Sequence, residues 1–285
     1  MHTFVCLCVL LGVFGCGVCG QFTWWKNDEK KCGVEASSKL VHHNPWLVFI
    51  EYWLDGELTE VRCAATLIDN RHLITAAHCI KKPRFSRLVA RLGEYDLYSK
   101  VDCVQGVCTD PIVRIDIEDA IMHPEYDGKE HDIAILKLAH DAPYTDFIRP
   151  ICLPTGKPDL ETMFVAAGWG EIPMKNVYSH VKKIVPLPFW PRDKCQVSYR
   201  HALPQSVICA GGEEGIDTCR GDSGGPLTRV RASIELWGVT SGGNVRCGTK
   251  NSPGIYTSVS DYLEWIQTVI LTRNISEKLP LILNA

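Results

Sequence analysis

Hydrophobic and polar positions along most of the chain fall in short blocks bounded by turn formers, not at helical spacing. From about Leu47 onward come "WLVFIEYW", "AATLI", "RLVARLGEY", "IVRIDI", "DIAILKL", "FVAAGWG", "ELWGVTS" and "GIYTSVS". These runs are rich in Val, Ile, Tyr and Trp, which suit the pleated, half-buried surface of a strand. The Gly, Asn, Asp and Pro between them supply the turns. The pattern predicts an all-β sandwich or barrel architecture. One segment has the other period: in "YLEWIQTVIL", Leu263, Ile266, Ile270 and Leu271 share a helical face, with Ser260 or Asp261 placed to cap it. A C-terminal helix is therefore expected, followed by a patternless tail over residues 274–285.

The first twenty residues, "MHTFVCLCVLLGVFGCGVCG", are apolar and end in small side chains. They read as a secretory signal peptide cut near Gly20–Gln21; the apolar core is short and broken by glycines, which argues against a membrane anchor. Of the 14 cysteines, Cys6, Cys8, Cys16 and Cys19 leave with that segment, so ten remain, an even number for disulfides in an exported protein. None of the ten has a C-x-x-C spacing, which disfavours structural zinc. "NIS" at Asn274 is the usable N-glycosylation signal. Residues 21–39 are short, polar and charged, and read as a propeptide or light-chain segment ahead of a catalytic domain over 40–273. A formal charge of −3, with 22% charged residues and no polybasic run, gives no reason to expect nucleic acid as a partner.

Chemistry enters with "CRGDSGGP", Cys219 to Pro226. A serine hydroxyl is a poor nucleophile and needs a base to take its proton and donors to hold the oxyanion. Glycines around Ser223 let the backbone turn tightly enough for amide groups to converge. In isolation this could be a surface turn. It is joined by "LITAAHC", which presents His78 beside a cysteine, and by "HDIAILKL", in which Asp132 opens an apolar strand and can orient an imidazole. The order His78, Asp132, Ser223 matches one known solution to serine catalysis.

With "NPW", "GWG" at Gly168–Gly170 and "SPGIY" at Ser252–Tyr256 added, the chain resembles the chymotrypsin/trypsin-type serine endopeptidases from about Pro45 to Thr272. "RLGEYD" followed by "CVQGVC" resembles the catalytic domains of arthropod clip-domain proteases. Residues 21–31 contain no cysteine, so the clip module itself has no counterpart in that stretch. The resemblance implies two perpendicular six-stranded antiparallel β-barrels with the site between them. It implies Ser223 as nucleophile, His78 as general base and Asp132 as its orienter. The backbone N–H groups of Gly221 and Ser223 would form an oxyanion hole, each donor worth about 3 kcal/mol. It also implies the pairs Cys63–Cys79, Cys195–Cys209, Cys219–Cys247 and Cys32–Cys152, leaving Cys103 with Cys108.

Asp217 matches the base of the family's primary specificity pocket, with Ser241, Gly243 and Gly254 along it, which implies cleavage after arginine or lysine. Gly242 departs from the family, which usually places an aromatic there, and removes a wall of the extended subsites. Glu94 matches a calcium ligand of some relatives; no organic cofactor is implied. Implied partners are protein substrates, including protease zymogens, and protein inhibitors presenting an arginine or lysine loop. A secreted monomer is expected.

The activation segment fits the family least well. Family members are switched on when cleavage frees an amino terminus that pairs with the aspartate matching Asp222. In "SSKLVHHNPW" a cut after Lys39 would free Leu40, but His42 and His43 replace the usual glycines and the approach to Pro45 is short. Two readings follow: a working protease with a shortened switch, or a zymogen-locked homologue that binds without cutting.

Overall fold

The computed structural model describes residues 32–272, except 82, 83, 105 and 174. The expected signal peptide, Asn274 and the tail lie outside the described residues. Twelve strands carry the fold. The first six are β1 (Leu47–Leu54), β2 (Cys63–Leu67), β3 (His72–Thr75), β4 (Arg87–Leu92), β5 (Val113–Met122) and β6 (Ala134–Leu138). They run in the order β1-β2-β3-β6-β5-β4, and β4 pairs back onto β1 from Phe49↔Arg91 to Trp53↔Arg87, closing a barrel. The others are β7 (Met163–Gly168), β8 (Lys183–Trp190), β9 (Val207–Gly211), β10 (Pro226–Val230), β11 (Ile234–Gly242) and β12 (Pro253–Ser258). They close a second barrel in the order β7-β8-β9-β12-β11-β10. Both barrels are antiparallel and six-stranded, as expected.

β8 is a strand that its sequence conceals, because "KIVPLPFW" carries two prolines, and proline has no N–H to give to a ladder. β8 pairs with β7 from Lys183 to Pro188 and with β9 only at Phe189 and Trp190. Phe189 N–H donates toward the β7 side, to Thr162 O at 3.0 Å. Residues an odd number of positions away point the other way, so Pro186 and Pro188 spend their missing donors on the side that β9 leaves unpaired.

Each barrel has its own core. Val48, Ile50, Tyr52, Leu67, Leu73 and Ile135 belong to the first, and Phe164, Leu187, Ile208, Leu227, Trp237 and Tyr256 fill the second. A third cluster joins them: Leu47, Phe49 and Ala64 of the first barrel meet Ala167 and Trp169 of the second, with Phe49 edge-on to Trp169 at 5.8 Å. Burying such a ring contributes about 2–3 kcal/mol, and here it fixes one barrel against the other.

The C-terminal helix is present over residues 263–272, with Ile266 fully buried and Leu263, Trp265, Val269 and Ile270 packed on the first core. Two details differ from the sequence reading. Leu271 is exposed and Val269 takes its place on the buried face. Neither Ser260 nor Asp261 caps the helix, because both lie inside a 3-10 turn, Val259–Tyr262, that leads into it, and Ser260 Oγ is within 3.1 Å of Ser258 Oγ instead.

All five expected disulfides form. Cys32–Cys152 spans 120 residues, a closure worth about 4–5 kcal/mol on the chain-entropy account. Beside it, Gly33 N–H donates to Pro150 O and Ile234 N–H to Gly33 O, so the chain ahead of Leu40 is already part of the folded body.

Leu73 is fully buried on β3, the strand that leads to His78. Leu73→Ala is expected to cost about 3 kcal/mol and to lower the midpoint of thermal unfolding by roughly 10 °C. Circular dichroism melts check this, and a shift below about 2 °C would contradict the packing described.

Candidate active site

β3 ends at Thr75, and after the buried Ala76 and Ala77 the chain turns into a single helical turn, His78–Lys81. The Cys63–Cys79 bridge ties that turn to β2. Asp132 sits just ahead of β6 and is buried. Its Oδ1 accepts the backbone N–H of His78 at 2.9 Å, and its Oδ2 accepts the His78 ring Nδ1–H at 2.8 Å. Ser241, on β11 of the other barrel, donates its hydroxyl to the same Oδ2 at 2.6 Å. Burial pushes the Asp132 carboxyl up, but the hydrogen bond and charge of His78 and the Ser241 hydroxyl pull harder, and it lies below the ordinary aspartate range. The carboxylate is therefore ionised at neutral pH and locks one face of the imidazole, leaving His78 Nε2 free to exchange a proton. Ser241, expected along the substrate, spends its side chain on Asp132.

Ser223 is half-buried at the mouth of a cavity of about 260 Å³ whose lining includes Asp217, Gly242 and Gly243. Its carbonyl accepts the N–H of Ala64 at 2.8 Å, which pins this second-barrel loop to β2. No hydrogen bond joins Ser223 Oγ to His78 Nε2 among the described residues; such contacts commonly tighten only when substrate closes the site. Gly221 has φ +94°, and a Cβ there would approach Tyr178 to 3.1 Å, so only glycine fits the turn. Asp222 N–H, inside that turn, donates to Cys219 O at 3.0 Å. The amides on either side, Gly221 N–H and Ser223 N–H, have no acceptor among the described residues and are available to an anionic oxygen.

Asp217 lies at the closed end of the cavity. Its Oδ2 accepts Gly248 N–H at 3.0 Å, while its Oδ1 is buried without a partner. Burial raises this carboxyl to about 6, against the pull of the Gly248 and Thr218 amides. A buried carboxylate oxygen with an open bond wants a cation. Gly254 faces it: a Cβ there would stand 3.1 Å from Asp217 Oδ1, and one on Gly243 3.7 Å from the Gly254 Cα. Nothing lies within 4 Å of a Cβ placed on Gly242, so that side of the cavity is open.

Asp222 is also buried, with Gly170 N–H on Oδ1 at 2.7 Å and Cys219 N–H on Oδ2 at 2.9 Å. Gly168 and Gly170 lie so close that a Cβ on either would collide with this carboxylate. Burial raises it to about 6, and no cation pairs with it among the described residues. Beside it is a second cavity of about 200 Å³, lined by Ala167, Ile184 and Val185 among others. Leu40 is not in that cavity: it is part of a short 3-10 turn, Leu40–His42, and is 43% exposed.

The residues that follow Leu40 are held firmly. Val41 is buried, and His42 stacks on Phe147 at 4.8 Å and shares a 2.6 Å hydrogen bond with Ser37. Asn44 N–H donates to Glu35, and the buried Lys182 donates to His43 O at 2.6 Å. Burial lowers the Lys182 ammonium to about 8, opposed by Glu35, Glu94 and Asp102. Lys182 was not legible as a site residue and Ser241 was placed along the substrate, not on Asp132; nothing local announces either contact, because each partner is more than 100 positions away.

Glu94 is fully buried and pairs with Arg91, while its other oxygen accepts Tyr95 N–H at 2.9 Å. A guanidinium already on the carboxylate does not fit a calcium ion, which needs six or more oxygens gathered around it. Leu40, the expected new terminus, and Asp222, its expected partner after cleavage, are apart in the uncut chain.

The Asp217 cavity is expected to bind benzamidine, a flat cation. Protons compete with it for Asp217, so its Kd should weaken about tenfold on going from neutral pH to pH 5 and should stop varying with pH in Asp217→Asn. Fluorescence titration on Ser223→Ala measures this; a Kd that does not change between pH 7.5 and 5 would refute the assignment of that carboxylate.

Comparisons with known proteins agree with this geometry. Residues 34–266 match the Trypsin family. The chain is 41% identical over 283 residues to phenoloxidase-activating enzyme of Bombyx mori, covering 86% of this chain and 64% of that one. It is 37% identical over 267 residues to melanization protease 1 of Drosophila melanogaster, covering 83% and 66%. With CLIP domain-containing serine protease B15 of Anopheles gambiae it shares 38% over 270 residues, 86% and 73%. The chain thus spans about two thirds of the length of these relatives. Among solved structures, mouse neuropsin, a serine protease, superposes with a TM-score of 0.68 at 28% identity, covering 81% of this chain and 96% of that one. This chain belongs to the trypsin family of serine proteases, with insect clip-domain proteases among its relatives.

Proposed function

We propose that the protein is a secreted endopeptidase that cuts after arginine or lysine by limited proteolysis of extracellular protein substrates, protease zymogens among them. The observation that carries this reading is the pairing of an imidazole fixed by a buried carboxylate, His78 on Asp132 with Ser241 behind it, with a cavity beside Ser223 lined by a buried carboxylate whose Oδ1 has no partner. Ser223 attacks the scissile carbonyl and His78 takes its proton, later delivering it to the leaving amine. Asp132 holds the imidazole in the tautomer that accepts and stabilises it when charged. The amides of Gly221 and Ser223 receive the oxyanion. Asp217 selects the long cationic side chain, and the open side at Gly242 leaves the extended subsites unwalled. The names of two relatives, a melanization protease and a phenoloxidase-activating enzyme, support an immune-type cascade. Protein inhibitors with an arginine or lysine loop are the complementary partners.

A second reading rests on the activation segment. A new amino terminus at Leu40 would have to reach Asp222, yet Asn44 is pinned to Glu35 and His43 to Lys182. Four residues of extended chain span at most about 14 Å, so with the anchors in place the new terminus reaches Asp222 only if that carboxylate lies within this distance of them. If the anchors hold and it lies farther, the chain is a zymogen-locked homologue that binds without cutting.

Hydrolysis of a small arginine amide by the disulfide-intact protein, before and after limited trypsin treatment, separates the two. The proposal expects activity to rise at least a hundredfold with a terminus at Leu40 and to vanish in Ser223→Ala. Clean cleavage after Lys39 without Ser223-dependent activity would establish the locked homologue.

A further inference from the structure

The loop that delivers Asp132 carries a second cluster with no part in the chemistry above. It leaves β5 at His123 and returns at His131, and is closed by His123 N–H donating to Ile133 O at 3.0 Å and Tyr126 N–H to His123 O at 3.0 Å. The imidazoles of His123 and His131 stack with centroids 4.7 Å apart and planes 10° from parallel. His131 Nδ1 and the Tyr262 hydroxyl share a hydrogen bond of 3.1 Å, which turns Nε2 toward Glu125, whose Oε2 is 3.7 Å away. His123 is set by Trp265 at 5.0 Å and by the edge of Tyr262 at 5.3 Å. One ligand atom from each of His123, Glu125 and His131 lies within 4.8 Å of the other two.

His131 holds φ +57°, a left-handed conformation that a side-chain-bearing residue adopts only when its surroundings impose it. That twist brings its ring over His123. Among the described residues the other gathering of ligand-type side chains, Cys63, His78 and Cys79, offers no comparable site, because both sulfurs are committed to a disulfide.

Two nitrogens and a carboxylate on one small loop are the donors of a borderline cation. Zinc takes imidazole nitrogen at about 2.0–2.1 Å and carboxylate oxygen at about 2.0–2.2 Å, with one position left for water. To bind, the three ligand atoms must draw in and the two imidazoles must turn out of their parallel stack. A nitrogen lone pair lies in its ring plane, and two stacked planes do not meet at one ion. Glu125 is exposed and both histidines are half-buried, which leaves room for that turn. Tyr262 on the far nitrogen of His131 is the outer partner that fixes a ligating imidazole. Calcium and magnesium, which want oxygen, do not suit this set. We propose that His123, Glu125 and His131 form a binding site for a zinc-type divalent cation on the loop that presents Asp132.

The test is calorimetric titration of the disulfide-intact Ser223→Ala protein with zinc chloride, paired with thermal melts. A single site in the micromolar range is expected, with zinc raising the melting midpoint and millimolar calcium or magnesium failing to displace it. Glu125→Gln, an exposed change that leaves the fold intact, should weaken binding by about tenfold or more, and His123→Gln should remove both the heat and the shift in midpoint. Unchanged zinc affinity in Glu125→Gln, or no binding to the parent below millimolar zinc, would overturn the proposal. Because the readout is metal binding, the result stands whether or not the chain proves to be catalytic.

Discussion

The Asp132 carboxylate is the joint on which the site depends. Two of its three accepted hydrogen bonds come from His78 and the third from Ser241, so one buried anion ties the turn after β3 to β11 of the other barrel. Its backbone carbonyl adds a fourth connection, accepting the Thr257 hydroxyl at 2.8 Å. A carboxylate in this position would be costly to bury alone; with these donors it stays ionised and holds the imidazole in one orientation. The barrel contact at Phe49 and Trp169 supplies the rigidity, and the Asp132 bonds supply the register between the catalytic side chains.

Two other buried carboxylates show what the fold leaves unfinished. Asp217 keeps one oxygen unpartnered at the end of an open cavity, and Asp222 is held by two amides without a cation. Both are raised to about 6, because burial outweighs the amide donors around them. Each is in this sense an incomplete pair: on the proposed reading the first is completed by a substrate side chain and the second by an amino terminus. The second completion is opposed by Lys182, which fastens His43 and with it the segment that would have to move. On that reading specificity and activation rest on the same physical device, a desolvated carboxylate awaiting a positive charge.

Much of this was readable from local sequence. Strand runs such as "DIAILKL" and the serine loop are short patterns whose residue types serve one physical purpose, so an all-β fold and three candidate catalytic residues could be read from them, and the two-barrel arrangement from the family resemblance they carry. What escaped depended on contacts between distant residues. β8 was hidden by Pro186 and Pro188, which become tolerable only because β9 leaves that side unpaired. Ser241 could be located but not its bond to Asp132, 109 residues away, and Lys182 reaches His43 across 139. Nor does anything local announce that Arg91 folds onto the Glu94 carboxylate. The helix cap was misplaced because a 3-10 turn precedes the helix and absorbs both candidate residues.

The central claim is that Asp132, by fixing His78, makes Ser223 a nucleophile. Its most direct test is the rate at which Ser223 is labelled by a fluorophosphonate, compared between the parent protein and Asp132→Asn, with benzamidine affinity as a check that the cavity is intact. The account predicts a slowing on the order of 10³–10⁴-fold with benzamidine binding unchanged, because the amide would hold the wrong tautomer of the imidazole. Equal labelling rates in the two proteins would contradict it.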